Sequence, residues 1–231
     1  DWLTRTGGRD LMKKAGFNVL PHWDFTDYDA ALTFLKENPG RYVYKPSGFV
    51  SSDWKSLLFI GSDDDGKDLF EIIASNQKVL EKKIKQFQLQ KFAQGVEIAV
   101  GAFFNGKDFI YPINVNFEHK KLFPGDIGPF TGEMGTLMYW SDPNKIFKMT
   151  LEKMRESLVA SGYVGYIDIN CIANGNGVYP LEFTSRFGYP TISIQLEGIL
   201  TPTAEWLSKL AKGESFTLRT KRGFQVGVVC V

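Results

Sequence analysis

Apolar and polar positions alternate with two different periods along this chain, and the switches between them outline its elements. Residues 9–15 and 26–38 read as short helices, the second capped by Thr26 and carrying Ala30, Ala31, Leu32 and Leu35. Residues 41–45 form a short aromatic and β-branched strand that ends at Lys45. A Gly/Ser loop follows over 47–55, and a strand resumes over 56–61. Residues 68–85 carry a helical pattern with a Lys/Glu face, and 87–92 a strand. Residues 96–104 alternate strictly, Asn105-Gly106 marks a hairpin turn, and 108–117 return. Residues 119–135 are rich in Gly and Pro and read as a long functional loop. The strongest helical pattern covers 143–161, with Ile146, Met149, Met154 and Leu158 on one side. Strands follow over 164–173 and 177–183, a helix over 203–212 and a strand from Gln225. Helices and mostly antiparallel hairpins in this order predict an α+β fold rather than a doubly wound sheet.

Composition narrows the function classes. The 231 residues are 43% hydrophobic and 23% charged, ordinary for a globular domain, and the formal net charge of +1 argues against nucleic acid or an acidic membrane as partner. No apolar run reaches the roughly 20 residues of a membrane helix. Cys171 and Cys230 sit in apolar stretches without metal-ligand spacing and read as two buried thiols of a reducing compartment, the cytoplasm. The chain has no signal-peptide pattern, does not begin with Met, and stops inside a strand pattern, so a fragment of a longer protein is expected. Oligomeric state is not legible.

Three places carry chemistry. In Gly165–Gly188, GYIDINCIANGNGVYPLEFTSRFG, Ile167, Ile169 and Cys171 are apolar at period two, as are Tyr179, Leu181 and Phe183. If both sets face one core, Asp168 lies directly across from Glu182. A divalent cation, such as Mg²⁺, would relieve their repulsion, with Arg186 nearby for an anion. The alternative is two solvated acids. Lys45, followed by Pro46-Ser47-Gly48, presents a point charge beside a loop whose N–H groups can cradle phosphates, or is simply solvated. Gln88–Glu97, QLQKFAQGVE, reads as a hinge where backbone at Lys91, Phe92 and Ala93 meets an adenine edge and Glu97 accepts ribose hydroxyls, or as an ordinary bulge.

In this order, strand lysine and Gly/Ser loop, hinge with its Glu, then Asp and Glu-x-x-x-Arg, the chain resembles the ATP-grasp superfamily. Glu118–Thr136, EHKKLFPGDIGPFTGEMGT, and Pro180–Pro190, PLEFTSRFGYP, resemble more closely two blocks of the phosphoribosylamine–glycine ligases. Those blocks are Asp-His-Lys … Gly-Pro-Asn-Thr-Gly-Gly-Met-Gly and Leu-Glu-Phe-Asn-x-Arg-Phe-Gly-Asp-Pro. The resemblance implies two α+β subdomains clasping a nucleotide between antiparallel sheets. It implies a helical lead-in over 1–38, a small lid over 39–90, a large subdomain with the metal site over 91–212, and the start of a truncated domain over 213–231.

It also implies roles. Lys45 contacts the α- and β-phosphates, and Ser47, Gly48, Ser51 and Ser52 belong to the loop over them. Gln90, Lys91 and Phe92 line the adenine pocket and Glu97 binds ribose. Lys120 approaches the phosphates, and Arg186 steadies the transferring phosphoryl group. Asp168, Glu182 and Thr184 hold Mg²⁺, for which Mn²⁺ can substitute. Asp126, Pro129, Thr131, Gly132, Met134 and Gly135 line the substrate side. The implied reaction joins a glycine-like carboxylate to a phosphoribosylamine-like amine through an acyl-phosphate, releasing ADP and phosphate, as in purine biosynthesis. The partners implied are small-molecule substrates. Four departures bear on this: the family's Asn is Thr184, its Asp is Tyr189, the next Glu is Thr191, and the hinge acid is Gln90. They keep open a ligase with other substrates, or a nucleotide-binding module without turnover.

Overall fold

A computed structural model describes residues 5–47 and 57–231. The chain divides into two units, one built mainly from 20–94 and one from 8–19 with 95–231. Gly48, Ser51 and Ser52, expected in a phosphate loop, lie outside the described residues.

The first unit is a four-stranded antiparallel sheet in the order β1-β4-β2-β3, where β1 is His22–Phe25, β2 Tyr42–Ser47, β3 Phe59–Ile60 and β4 Gln86–Lys91. Two helices, α2 (Tyr28–Glu37) and α3 (Lys67–Lys83), follow α1 (Arg5–Lys14) in the chain. Tyr28, Ala31 and Leu35 of α2 and Leu69, Ile73 and Leu80 of α3 bury against Tyr42, Tyr44, Phe87 and Leu89. Each such apolar side chain contributes about 1.5–3 kcal/mol. The helix cap is Asp27, not Thr26: its Oδ1 accepts from the Asp29 N–H at 2.9 Å. Strand β2 runs through Lys45 to Ser47, so Lys45 is inside a strand rather than at its end. Pro46 lies within β2, opposite Phe87 of β4.

The second unit is a six-stranded antiparallel sheet, β10-β7-β6-β5-β8-β9. Its strands are β5 (Val96–Asn105), β6 (Phe109–Phe123), β7 (Ile127–Ser141), β8 (Val164–Asn174), β9 (Gly177–Thr184) and β10 (Phe224–Val228). Val100, Ala102, Phe104, Ile113, Val115, Ile167, Ile169 and Cys171 form the core face. Against it pack Met12, Phe17, Phe147, Leu151, Met154 and Leu158.

The segment 143–161 is not one helix. It is α4 (Lys145–Met149), a 3₁₀ turn (Leu151–Met154) and α5 (Arg155–Ala160), broken at Thr150, whose hydroxyl bonds back to the Ile146 carbonyl at 2.7 Å. The break moves the buried stripe to Phe147, Leu151, Met154 and Leu158 and leaves Met149 36% exposed. Residues 119–135 are no loop: they belong to the β6–β7 hairpin, whose tip turns at Asp126 with φ 59°. Two helices close the list, α6 (Thr191–Gly198), which the hydrophobic pattern did not reveal, and α7 (Thr203–Ala211). Cys171 is buried, its thiol pushed up to about 12 by burial, whereas Cys230 is exposed.

Candidate active site

In the first unit, period-two alternation puts Tyr42, Tyr44, Phe87 and Leu89 on the core face and Lys45, Gln88 and Gln90 on the other. Lys45 is 6% exposed, and its Nζ donates to Gln90 Oε1 at 3.0 Å. Gln88 Nε2 donates to Asp24 Oδ1 at 2.9 Å, while Gln88 Oε1 is buried with no partner among the described residues. Ser47 is buried within β2. The Lys91 N–H already donates to the Pro21 carbonyl at 2.9 Å and the Phe92 N–H to the Arg41 carbonyl at 3.0 Å, so neither amide is spare for an adenine edge. Lys91 Nζ lies 4.2 Å from the Tyr42 ring centroid, and the Arg41 guanidinium stacks 3.6 Å over Phe92.

In the second unit the reactive groups gather on the sheet face opposite the main core. The sequence places Asp168 directly opposite Glu182; the structure places it opposite Thr184, with Glu182 opposite Asn170. Two one-residue displacements cause the shift: the turn pairs Asn174 with Gly177, so that Pro180 rather than Tyr179 faces Cys171, and a bulge between Asn170 and Cys171 adds the second, so that Phe183 pairs with Ile169 on the core face. Asp168 and Glu182 remain on one face as diagonal neighbours, about 7 Å apart along the ladder. Gly101 lies across from Asp168 on β5, and a Cβ there would sit 2.0 Å from Tyr166 Oη and 2.8 Å from Asp168 Cβ.

Asp168 is 5% exposed, and its Oδ1 has no hydrogen-bond partner among the described residues. Burial, then the charge of Glu118, push its pKa up to about 8; hydrogen bonds from Thr184 and Tyr166 pull the other way, and Glu182 adds to the rise. Glu118 is a site residue that the sequence reading passed over. Its Oε2 lies 3.4 Å from Lys120 Nζ and accepts from Asn170 Nδ2 at 3.4 Å. Lys120 Nζ also pairs with Glu97 Oε1 at 2.5 Å. Burial would lower the Lys120 pKa, but Glu97 and Glu118 outweigh it and hold the ammonium above its ordinary range. The carboxylate expected on ribose is thus engaged by the lysine expected on phosphate.

The hairpin residues separate. Thr131 Oγ1 donates to the Lys120 carbonyl at 2.8 Å, so Thr131 joins the cluster, followed along β7 by Gly132, Met134 and buried Gly135. Asp126 and Pro129 belong to the exposed tip, where Asp126 Oδ1 lies 3.7 Å from His119 Nδ1. Seven residue steps separate Asp126 from Glu133, roughly 23 Å at about 3.3 Å each. Arg186 is exposed and donates to the Phe187 carbonyl at 2.9 Å. Glu133 is the second residue that was passed over: its carboxylate accepts from Thr191 Oγ1, at 2.9 and 3.1 Å to its two oxygens. The signal was available, since Glu133 stands where the resembled block Gly-Pro-Asn-Thr-Gly-Gly-Met-Gly has its third Gly.

The donors around Asp168 suit a hard cation. Asp168, Glu182 and Thr184 offer only oxygen, and the partnerless Oδ1 of Asp168 is a buried acceptor with a cation's worth of desolvation to recover. Among the described residues no cluster of three or more His, Cys, Asp or Glu is arranged for a metal.

The chain is 26% identical to the phosphoribosylamine–glycine ligase of Streptococcus pyogenes serotype M3, over 96% of this chain and 53% of that protein. It is 27% identical to the one from Lactococcus lactis, with the same coverage. It thus spans about half the length of the curated relatives it matches. The crystal structure of phosphoribosylamine–glycine ligase from Thermotoga maritima superposes with a TM-score of 0.75 at 22% identity, over 97% of this chain and 58% of that one. N5-carboxyaminoimidazole ribonucleotide synthetase from Thermus thermophilus superposes at 0.67 and 16% identity, over 98% and 57%. The model of the phosphoribosylglycinamide synthetase ATP-grasp (A) domain matches residues 5–192, most of the chain, and the chain therefore belongs to that family.

Proposed function

We propose that this chain is the ATP-binding part of a cytoplasmic ATP-dependent ligase of purine biosynthesis. It would join glycine to a phosphoribosylamine-like amine through an acyl-phosphate. The observation that carries the reading is the buried Asp168 carboxylate, whose Oδ1 has no hydrogen-bond partner among the described residues, on one sheet face with Glu118, Lys120 and Glu182. A divalent cation held by Asp168 and Glu182, with Thr184 or a water as third donor, would supply neutralisation of phosphate charge.

Each residue then has a task. Lys45 and Lys120 offset the negative charge of the nucleotide phosphates, and Arg186 meets the phosphoryl group in transfer. To do so, Lys120 exchanges its present pairs with Glu97 and Glu118, and the freed Glu97 carboxylate is left to accept ribose hydroxyls. Ser47, the last residue of β2, and Gly48, Ser51 and Ser52 after it are assigned to the nucleotide phosphates, and Gln90, Lys91 and Phe92 to the base. Thr131, Gly132, Met134 and Gly135 are assigned to the substrate side, with Asp126 and Pro129 at the hairpin tip. Excluding water protects the acyl-phosphate.

A second reading, a ligase with other substrates, is favoured by Tyr189, Thr191 and Glu133, where the resembled blocks carry Asp, Glu and Gly. Mixing the protein with ATP, Mg²⁺, glycine and a phosphoribosylamine source separates the two. ADP release dependent on both co-substrates supports the first. ADP release only with other amino acids supports the second, and nucleotide binding with no turnover on any panel overturns both.

A further inference from the structure

We propose that Glu133 is the proton acceptor for the attacking amine, a role that rests on the ligase reading above. Glu133 projects from β7 beside Thr131, the residue whose hydroxyl holds the Lys120 carbonyl. One hydroxyl, Thr191 Oγ1, reaches both its oxygens, at 2.9 and 3.1 Å. A hydroxyl has a single proton to give, so it fixes the carboxylate's orientation and leaves most of its lone pairs for another donor.

The charged groups that face Glu133 are Glu118 and Lys120 from β6 and Arg186 from the segment after β9. Strand β10, which pairs with β7, brings no titratable side chain in Phe224–Val228. Burial, and then Glu118, raise the Glu133 carboxyl to about 7, against Thr191, Lys120 and Arg186. A base poised near the working pH is ionised often enough to accept a proton and basic enough to hold it. If Glu133 were only a strut between β7 and α6, a glutamine would serve as well, since its amide oxygen also accepts from Thr191.

The step balances without an added reagent. A substrate ammonium gives one proton to the Glu133 carboxylate, which frees the nitrogen lone pair. The amine attacks the acyl-phosphate carbonyl carbon and the C–N bond forms. The C–O bond to phosphorus breaks, its electron pair leaving with phosphate, and the second amine proton goes to the departing phosphate. Glu133 then returns its proton to water.

The test uses the full chain with ATP, Mg²⁺ and glycine, and two nucleophiles. Hydroxylamine is unprotonated at neutral pH and needs no base; phosphoribosylamine, generated from ribose 5-phosphate and ammonia, reports the amine step. Glu133→Gln should keep glycine hydroxamate formation within about 2-fold and lower amide formation about 10²-fold or more. The parent's amide rate should rise with pH through an inflection near 7 that Glu133→Gln lacks. Thr191→Val, which removes a hydrogen bond to the charged form, should move that inflection to higher pH. A Glu133→Gln variant that loses both products alike, or neither, overturns the role of Glu133 while leaving the ligase reading intact. A parent that forms no hydroxamate overturns the ligase reading, and the proton-acceptor role with it.

Discussion

The two long hairpins of the larger sheet hold their functional groups in different ways. β8–β9 is anchored by a core: Ile167, Ile169 and Cys171 are fully buried on one face, and that fixes Asp168 on the other. β6–β7 loses β5 after Asn116 and β10 beyond Gly135, and from there to its tip continues as a two-stranded ribbon. A two-stranded ribbon is marginal by itself. Its groups are held by side-chain ties instead: Lys120 to Glu97, Glu118 to Asn170, Thr131 to the Lys120 carbonyl, Glu133 to Thr191. The core fixes the acid of the anchored hairpin; side-chain ties hold the groups of the ribbon.

The sharpest way to test this contrast is at Asp168. Asp168→Asn should lower Mg²⁺–ATP affinity by about 100-fold or more while leaving metal-free stability nearly unchanged, because at neutral pH the buried carboxyl already carries a proton much of the time. Titration calorimetry and denaturant melts in chelator check the two halves.

Next in size is a pair of glycines, one per region. Gly101→Ala drives a methyl group into Tyr166 and Asp168 and should destabilise by about 1–3 kcal/mol. Gly132→Ala, in the ribbon with nothing within 4 Å of its Cβ position, should change stability by no more than about 0.5 kcal/mol. Equal losses in denaturant melts would contradict the difference in anchoring.

Smaller still, Thr131→Val removes one hydrogen bond and should cost about 0.5–1.5 kcal/mol. Hydrogen exchange should show the loss confined to the ribbon.

The same contrast governs what could be read from the sequence. Strict alternation in β8 identified the acidic face, because a core of Ile and Cys leaves little freedom in parity. The bulge that moves Glu182 opposite Asn170 left no trace in the pattern, because Tyr179, Leu181 and Phe183 are all apolar and fit either register. The ribbon looked like a loop because its Gly and Pro residues serve a strand pair with no core on either side. Glu118 was hidden for the same reason, and Glu133 by being taken as one residue of a block rather than as a departure from it. Helix α6 escaped notice because its apolar positions show no single face. Lys45 was expected to be solvated or phosphate-bound, and its bond to Gln90 depends on a diagonal across β2 and β4 that only the register supplies.

The central claim is that the acidic sheet face around Asp168 takes a cation together with a nucleotide. Thermal melts of the parent and of Asp168→Asn, with Mg²⁺ alone, ATP alone and both, test it most directly. The account predicts that the parent melts several degrees higher only with both, and that Asp168→Asn loses this shift. A shift produced in full by ATP alone, and retained in Asp168→Asn, would contradict it.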